Sequence, residues 1–158
     1  PAARPDWGLV FCVASRRSFN VKEGMDFQLE NGMKTLIVED DPASCLLLEE
    51  ILSGYGECQA APAGERALEL FEQALADGRP FDLICLDIML PGLDGQQVLQ
   101  TIRRREQQLE RESKIIMITA LSSTAALMSA FKAGATSYLV KPVRKSNLLL
   151  ELHKFGLV

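Results

Sequence analysis

The chain has 158 residues, enough for one domain with an appendage, and a chain of this size buries roughly 70% of its unfolded surface without help from disulfides. Apolar residues make up 47% and charged residues 24%, and a net charge of −4 lacks the basic footprint of direct nucleic-acid binding. No apolar run reaches the ~18 residues needed to cross a bilayer, so neither nucleic acid nor membrane is an expected partner.

Four cysteines (Cys12, Cys45, Cys58 and Cys85) form no CxxC pair and read as buried, reduced thiols. The single histidine, His153, excludes a histidine-rich metal site and reads as a surface or capping residue.

Residues 1–32 stand apart from the rest of the chain. Leu9 to Ala14 is an apolar run, and "SFNVK" and "MDFQLE" alternate apolar and polar residues around Glu23-Gly24, the pattern of a β-hairpin or small meander. The stretch has no basic start and too short an apolar run for a signal peptide. Three origins fit it: residues placed ahead of a native start at Met33, an extension used for docking or dimerisation, or the remnant of another domain.

From Met33 the chain alternates short apolar runs with helical periods. "KTLIV", Lys34 to Val38, is a strand, and "EDDPAS" opens a helix with Asp41 as N-cap and Pro42 at the first helical position. Leu46, Leu47, Ile51 and their neighbours are expected on its apolar face, and Gly54 and Gly56 end it. Glu57 to Ala61 is a weaker strand. Gly64 to Ala76 is amphipathic, with Ala67, Leu68, Phe71 and Leu75 at helical spacing. Phe81 to Leu86 is the third strand, followed by a helix from Gln96 to about Glu110 with Val98, Leu99 and Ile102 inward. The arginines and glutamates of Arg103 to Glu112 offset one another and read as a solvated helix end. Ile115 to Ile118 and Ser137 to Val140 are the last strands, with helices over Ser122–Ala133 and Val143–Phe155. Strict alternation of strand and helix predicts a doubly wound α/β fold, a five-stranded parallel sheet covered on both faces, with right-handed crossovers. No strand contains proline, which suits central, fully paired strands.

In such a sheet ligands bind beyond the carboxyl ends of the strands, where the strand order reverses. Glu39, Asp40 and Asp41 follow the first strand, Asp87 the third, Thr119 the fourth and Lys141 the fifth. Packed carboxylates repel, and a divalent cation removes that cost; few carboxylates plus water favour magnesium. A lysine ammonium neutralises a phosphoryl group, a threonine hydroxyl donates to it, and a carboxylate can itself be the nucleophile. Phosphoryl transfer asks mainly for positioning and charge neutralisation, which this set supplies.

Four motifs, "LIVEDD", "FDLICLDIMLPGLDG", "IIMITA" and "SYLVKP", stand in an order and spacing that resembles the receiver domains of two-component response regulators, CheY-like in fold. The resemblance covers Met33 to about Phe155. It implies the sheet order 2-1-3-4-5, Asp87 as phosphoacceptor, and magnesium held by Glu39, Asp40, Asp87 and the backbone carbonyl of Met89. It implies Thr119 as switch hydroxyl, Tyr138 as the aromatic that swings inward on activation, Lys141 as the charge partner, and a cis bond between Lys141 and Pro142. It further implies a cytoplasmic protein that accepts its phosphoryl group from a sensor histidine kinase or phosphotransfer protein and then binds a downstream partner. A homodimer through the fourth helix, fifth strand and fifth helix is compatible with this. The chain stops soon after the last helix, so a stand-alone receiver is expected.

Two other readings remain open on sequence. A haloacid-dehalogenase-like phosphatase also uses an aspartate at a strand tip, but places a second acid two residues later, where this chain has Met89, and carries its acidic pair late. A degenerate receiver serving only as a scaffold would not need so complete a site. Apolar Met89 and Leu121 offer no polar side chain to orient an attacking water, so slow loss of the phosphoryl group is expected.

Overall fold

The computed structural model describes residues 32–120 and 124–158. Gly32–Val158 forms one compact unit with its own core. The hairpin expected before Gly32, Cys12 and Leu121 lie outside the described residues.

Among the described residues ten elements alternate: β1 Met33–Val38, α1 Pro42–Leu52, β2 Gly56–Ala61, α2 Gly64–Ala76, β3 Leu83–Asp87, α3 Gly95–Gln108, β4 Lys114–Thr119, α4 Thr124–Lys132, β5 Ser137–Val140 and α5 Lys145–Lys154. All strand pairs are parallel and the order is β2-β1-β3-β4-β5, the doubly wound fold expected. The order reverses between β1 and β3. The register sets Val38 beside Leu86, Asp87 beside Ile118, and Thr119 beside Val140, so the carboxyl ends of four strands finish together.

The pleat divides the core into two layers, because successive side chains of a strand face opposite sides. Leu36, Ile84, Leu86, Ile115 and Met117 face Ala67 and Phe71 of α2, Val98, Leu99 and Ile102 of α3, and Ala130 of α4. Ile37, Leu83, Cys85, Ile116 and Ile118 face Leu48, Ile51 and Leu52 of α1 and Leu148 and Leu152 of α5. Each fully buried side chain of this size contributes roughly 1.5–3 kcal/mol.

Three expectations are corrected. On α1, Leu46 and Leu47 are 65% and 40% exposed, and the buried residues are Leu48, Ile51 and Leu52. Three consecutive leucines carry no phase of their own; contact with the sheet selects the face. The arginine-rich end of α3 is not wholly solvated, because Arg103 and Glu106 form a pair with side chains 12% and 3% exposed. β2 and β5 are edge strands rather than central ones, and their residues are correspondingly less buried.

Cys45 and Cys85 are free thiols; Cys58 and Cys85 are buried as expected, whereas Cys45 is only half-buried. Burial first, and then the carboxylates of Glu49, Glu39 and Asp41, push the Cys45 thiol up to about 11, and burial pushes Cys85 up as well. Thiolate is the reactive form, so at about pH 8 iodoacetamide should alkylate Cys45 roughly 100-fold more slowly in the folded chain than in the urea-unfolded one. Peptide mass mapping of the alkylated protein measures the ratio; equal rates would contradict the partial burial of Cys45 on α1.

Candidate functional site

β3 ends on Asp87, which is 4% exposed. Its Oδ1 accepts the Met89 N–H at 2.9 Å and its Oδ2 accepts from Lys141 Nζ at 2.7 Å. β1 leads directly to Glu39, 3% exposed, whose Oε1 accepts the Asp41 N–H at 3.0 Å and whose Oε2 lies 2.6 Å from the same Lys141 Nζ. Asp40 is exposed, and one carboxylate oxygen from each of Glu39, Asp40 and Asp87 falls within 4.8 Å of the others. Lys141 reaches the cluster from the end of β5, and its own N–H donates to the Thr119 carbonyl at 2.8 Å. The Lys141–Pro142 bond is cis.

Local sequence explains why these groups hold still. Asp41 is the N-cap of α1: its Oδ2 accepts from Ser44 N–H at 2.9 Å and Ser44 Oγ at 2.7 Å, bonds that hold its carboxyl below the usual range. It is thereby engaged on the helix, not in the cluster. Gly95 opens α3 so close to β3 that a Cβ there would sit 2.0 Å from the Asp87 carbonyl oxygen, so only glycine fits. Asp94 and Gln97 close a capping box on the same turn. The loop after the acid is therefore pinned at both ends.

Thr119 is fully buried at the tip of β4 and follows the alternation of Ile115 and Met117 toward the α2–α3–α4 layer. Tyr138 is half-buried against that same layer, and burial raises its hydroxyl above its ordinary value. Burial also raises Glu39, reinforced by the charge of Asp87 and opposed by Lys141 and the Asp41 N–H. For Lys141, burial works against the charge, but the hydrogen bonds to Asp87 and Glu39 outweigh it and the ammonium sits above its ordinary value.

Three carboxylates against one ammonium leave the cluster short of positive charge. The donors are all oxygen, with no thiolate or imidazole among them, which fits a hard divalent cation rather than a soft one. The fold thus brings together Glu39, Asp40, Asp87 and Lys141, with Thr119 joined through the Lys141 backbone and Tyr138 on the neighbouring strand. A cleft of about 440 Å³, lined by Ala43, Leu47, Pro142 and Val143 among others, opens beside Glu39 and Lys141; its lining was not legible in the sequence.

A doubly wound sheet with buried acids and a lysine converging at its switch point defines the CheY-like class of domain. The chain belongs to the response regulator receiver domain family, whose sequence profile matches residues 35–153. It is 41% identical over 110 residues to the transcriptional regulatory protein AfsQ1 of Streptomyces coelicolor, covering 69% of this chain and 44% of that protein. It is 33% identical over 132 residues to the two-component response regulator ORR21 of Oryza sativa subsp. indica, covering 81% of this chain and 18% of that one. The CheY-like receiver domain protein of Methanospirillum hungatei JF-1 superposes with a TM-score of 0.68 at 28% identity, over 80% of this chain and 94% of that one. The BeF3-activated receiver domain of DrrB superposes with a TM-score of 0.66 at 27% identity, over 80% of this chain and 98% of that one. The chain spans less than half the length of these curated relatives. This kinship takes the place of the phosphatase reading. Among the described residues no helix is long and apolar enough to cross a membrane.

Proposed function

We propose that Asp87 is the phosphoacceptor of this receiver domain. The observation that carries the reading is the pair of contacts on its carboxylate: the Met89 N–H on one oxygen and Lys141 Nζ on the other, at a rigid strand tip. One Asp87 oxygen attacks the phosphorus of a phosphohistidine on a sensor kinase or phosphotransfer protein. The P–N bond breaks, its electron pair returns to the ring nitrogen, which takes up a proton, and an acyl phosphate remains on Asp87. Lys141 already faces the position of the new charge.

Glu39, Asp40, Asp87 and the Met89 carbonyl would hold magnesium, which supplies charge neutralisation and open positions for phosphoryl oxygens. The acyl phosphate then draws the Thr119 hydroxyl toward it, and Tyr138 turns into the space released. This biases two pre-existing states and alters the face of α4, β5 and α5. That face exposes Met128, Phe131, Val140 and Leu150, apolar surface suited to a downstream protein or a second copy. The apolar cleft beside Glu39 and Lys141 offers contact surface to the phosphoryl donor. The reading is of a cytoplasmic switch that catalyses, at most, its own phosphorylation and dephosphorylation.

Intact-mass analysis after acetyl phosphate and magnesium tests the proposal: one phosphoryl adduct, mapped to the peptide that carries Asp87. An adduct mapped elsewhere, or continuous turnover of a simple phosphate ester, would overturn it.

The Met89 side chain is 60% exposed beside Asp87 and apolar, so it cannot orient an attacking water. Met89→Asn should shorten the lifetime of the adduct, by at most roughly 100-fold, the lower end of what a positioned proton-transfer group supplies. Timed mass spectra after removal of acetyl phosphate measure the decay, and equal lifetimes would count against this role.

A further inference from the structure

A second buried ion pair lies at the opposite end of the sheet, inside the charged run that closes α3. The Arg103 guanidinium donates from Nε to the Gly134 carbonyl at 2.8 Å, from Nη1 to the Ser113 carbonyl at 2.9 Å and to Glu106 Oε2, and from Nη2 to Thr136 Oγ1 at 3.2 Å. Glu106 Oε1 accepts the Ser113 N–H at 2.8 Å, and Thr136 Oγ1 also accepts the Ile115 N–H at 2.9 Å. One side chain thus ties α3 to the start of β4 and to the corner between α4 and β5. A guanidinium is suited to this because its donors form a fixed fork. Gly134 turns that corner at φ +101°, and a Cβ there would approach Arg103 Cγ to 3.1 Å, so the corner and the arginine interlock.

The helix that enters this corner is unevenly held. Ala130, in its C-terminal half, is the one buried residue of α4 among those described. Thr124 and Ala125 are exposed, and Met128 is 51% exposed. α4 begins only a few residues beyond Thr119, so one end lies toward the switch hydroxyl and the other is clamped by Arg103.

We infer that Arg103 is a positioning residue for the output face: it fixes the C-terminal end of α4, so that a change at Thr119 turns the helix about that end instead of moving it bodily. Glu106 holds the guanidinium in place, and Ser113 and Thr136 fix where the pivot lies. The inference rests on the phosphoacceptor reading of Asp87 and Thr119.

Hydrogen exchange of the full chain, with and without acetyl phosphate plus magnesium, tests it, with intact mass reporting the adduct. In the parent, labelling should change exchange over Thr124–Met128 by about fivefold or more, and over Ala130–Thr136 by less than about twofold. Arg103→Lys, which keeps a charge for Glu106 but loses the fork, should take up the same adduct while the change spreads over Ala130–Thr136 to a comparable factor. If Arg103→Lys does not fold, Thr136→Val, which removes one acceptor and keeps the ion pair, is read in the same way. A purely structural arginine would raise exchange equally in both states, and that result overturns the inference, as does a variant whose response matches the parent's. Absence of an adduct in the parent overturns the phosphoacceptor reading and this inference together; an adduct with the wrong exchange pattern overturns this inference alone.

Discussion

Asp87→Asn is expected to abolish the phosphoryl adduct while leaving the domain folded. The amide has nearly the same shape as the carboxylate and can still accept the Met89 N–H that Oδ1 accepts at 2.9 Å. It lacks the nucleophilic charge, and without that charge the attack on phosphorus has no driving group. Labelling under acetyl phosphate and magnesium should fall below detection, a loss of about 100-fold or more, because the nucleophile itself is gone. The substitution also removes one of two buried carboxylates that share Lys141, so like-charge repulsion with Glu39 is relieved and the unfolding midpoint should not fall. Full labelling of Asp87→Asn would end the assignment of this residue.

Lys141→Met should have the largest effect on stability. Lys141 Nζ sits 2.6 Å from Glu39 Oε2 and 2.7 Å from Asp87 Oδ2, and both carboxylates are nearly inaccessible to water. Removing the cation leaves them facing each other uncompensated. Breaking a buried pair costs about 3–5 kcal/mol, and about 3 kcal/mol is expected here because the Lys141 side chain is 21% exposed.

The pH dependence has a definite sign. The folded pKa values of Glu39 and Lys141 are both raised above their ordinary values, 4.5 and 10.5. Stability linked to either group is therefore present below its ordinary value and is lost as pH rises through the folded one: for Glu39 above 4.5, for Lys141 above 10.5. Lys141→Met removes the upper loss and enlarges the lower. The variant should approach the parent as pH falls toward about 5 and lag it most near about pH 8. Magnesium should stabilise the variant more than the parent, since it replaces the missing charge. Urea unfolding at both pH values, with and without magnesium, decides the matter. A variant as stable as the parent near pH 8 would mean that Lys141 does not carry the compensation.

Much of this was legible in the residues. Apolar runs such as "LICL" and "IIMI", separated by helical periods, specify alternating strands and helices whatever the tertiary context. The start of α1 was equally plain, because Asp41, Pro42 and Ser44 act on one another locally. Leu46 and Leu47 face outward for a reason that is not local: which part of a leucine run faces inward depends on the sheet beneath it. Arg103 and Glu106 read as solvated from sequence because their partners Ser113, Gly134 and Thr136 lie outside α3, up to 33 positions away.

The sequence by itself determined the order of elements and the chemical type of residue at each strand tip. A parallel sheet then had to bring those tips to one edge, because every strand runs the same way and every crossover returns to the same end. Only the tertiary structure decided that Lys141 is shared between Glu39 and Asp87, that Asp40 stands exposed while Asp41 caps a helix, and that Arg103 clamps the far corner of α4. Those pairings depend on distances between strands and helices remote in sequence, and such distances come into being only when the core closes.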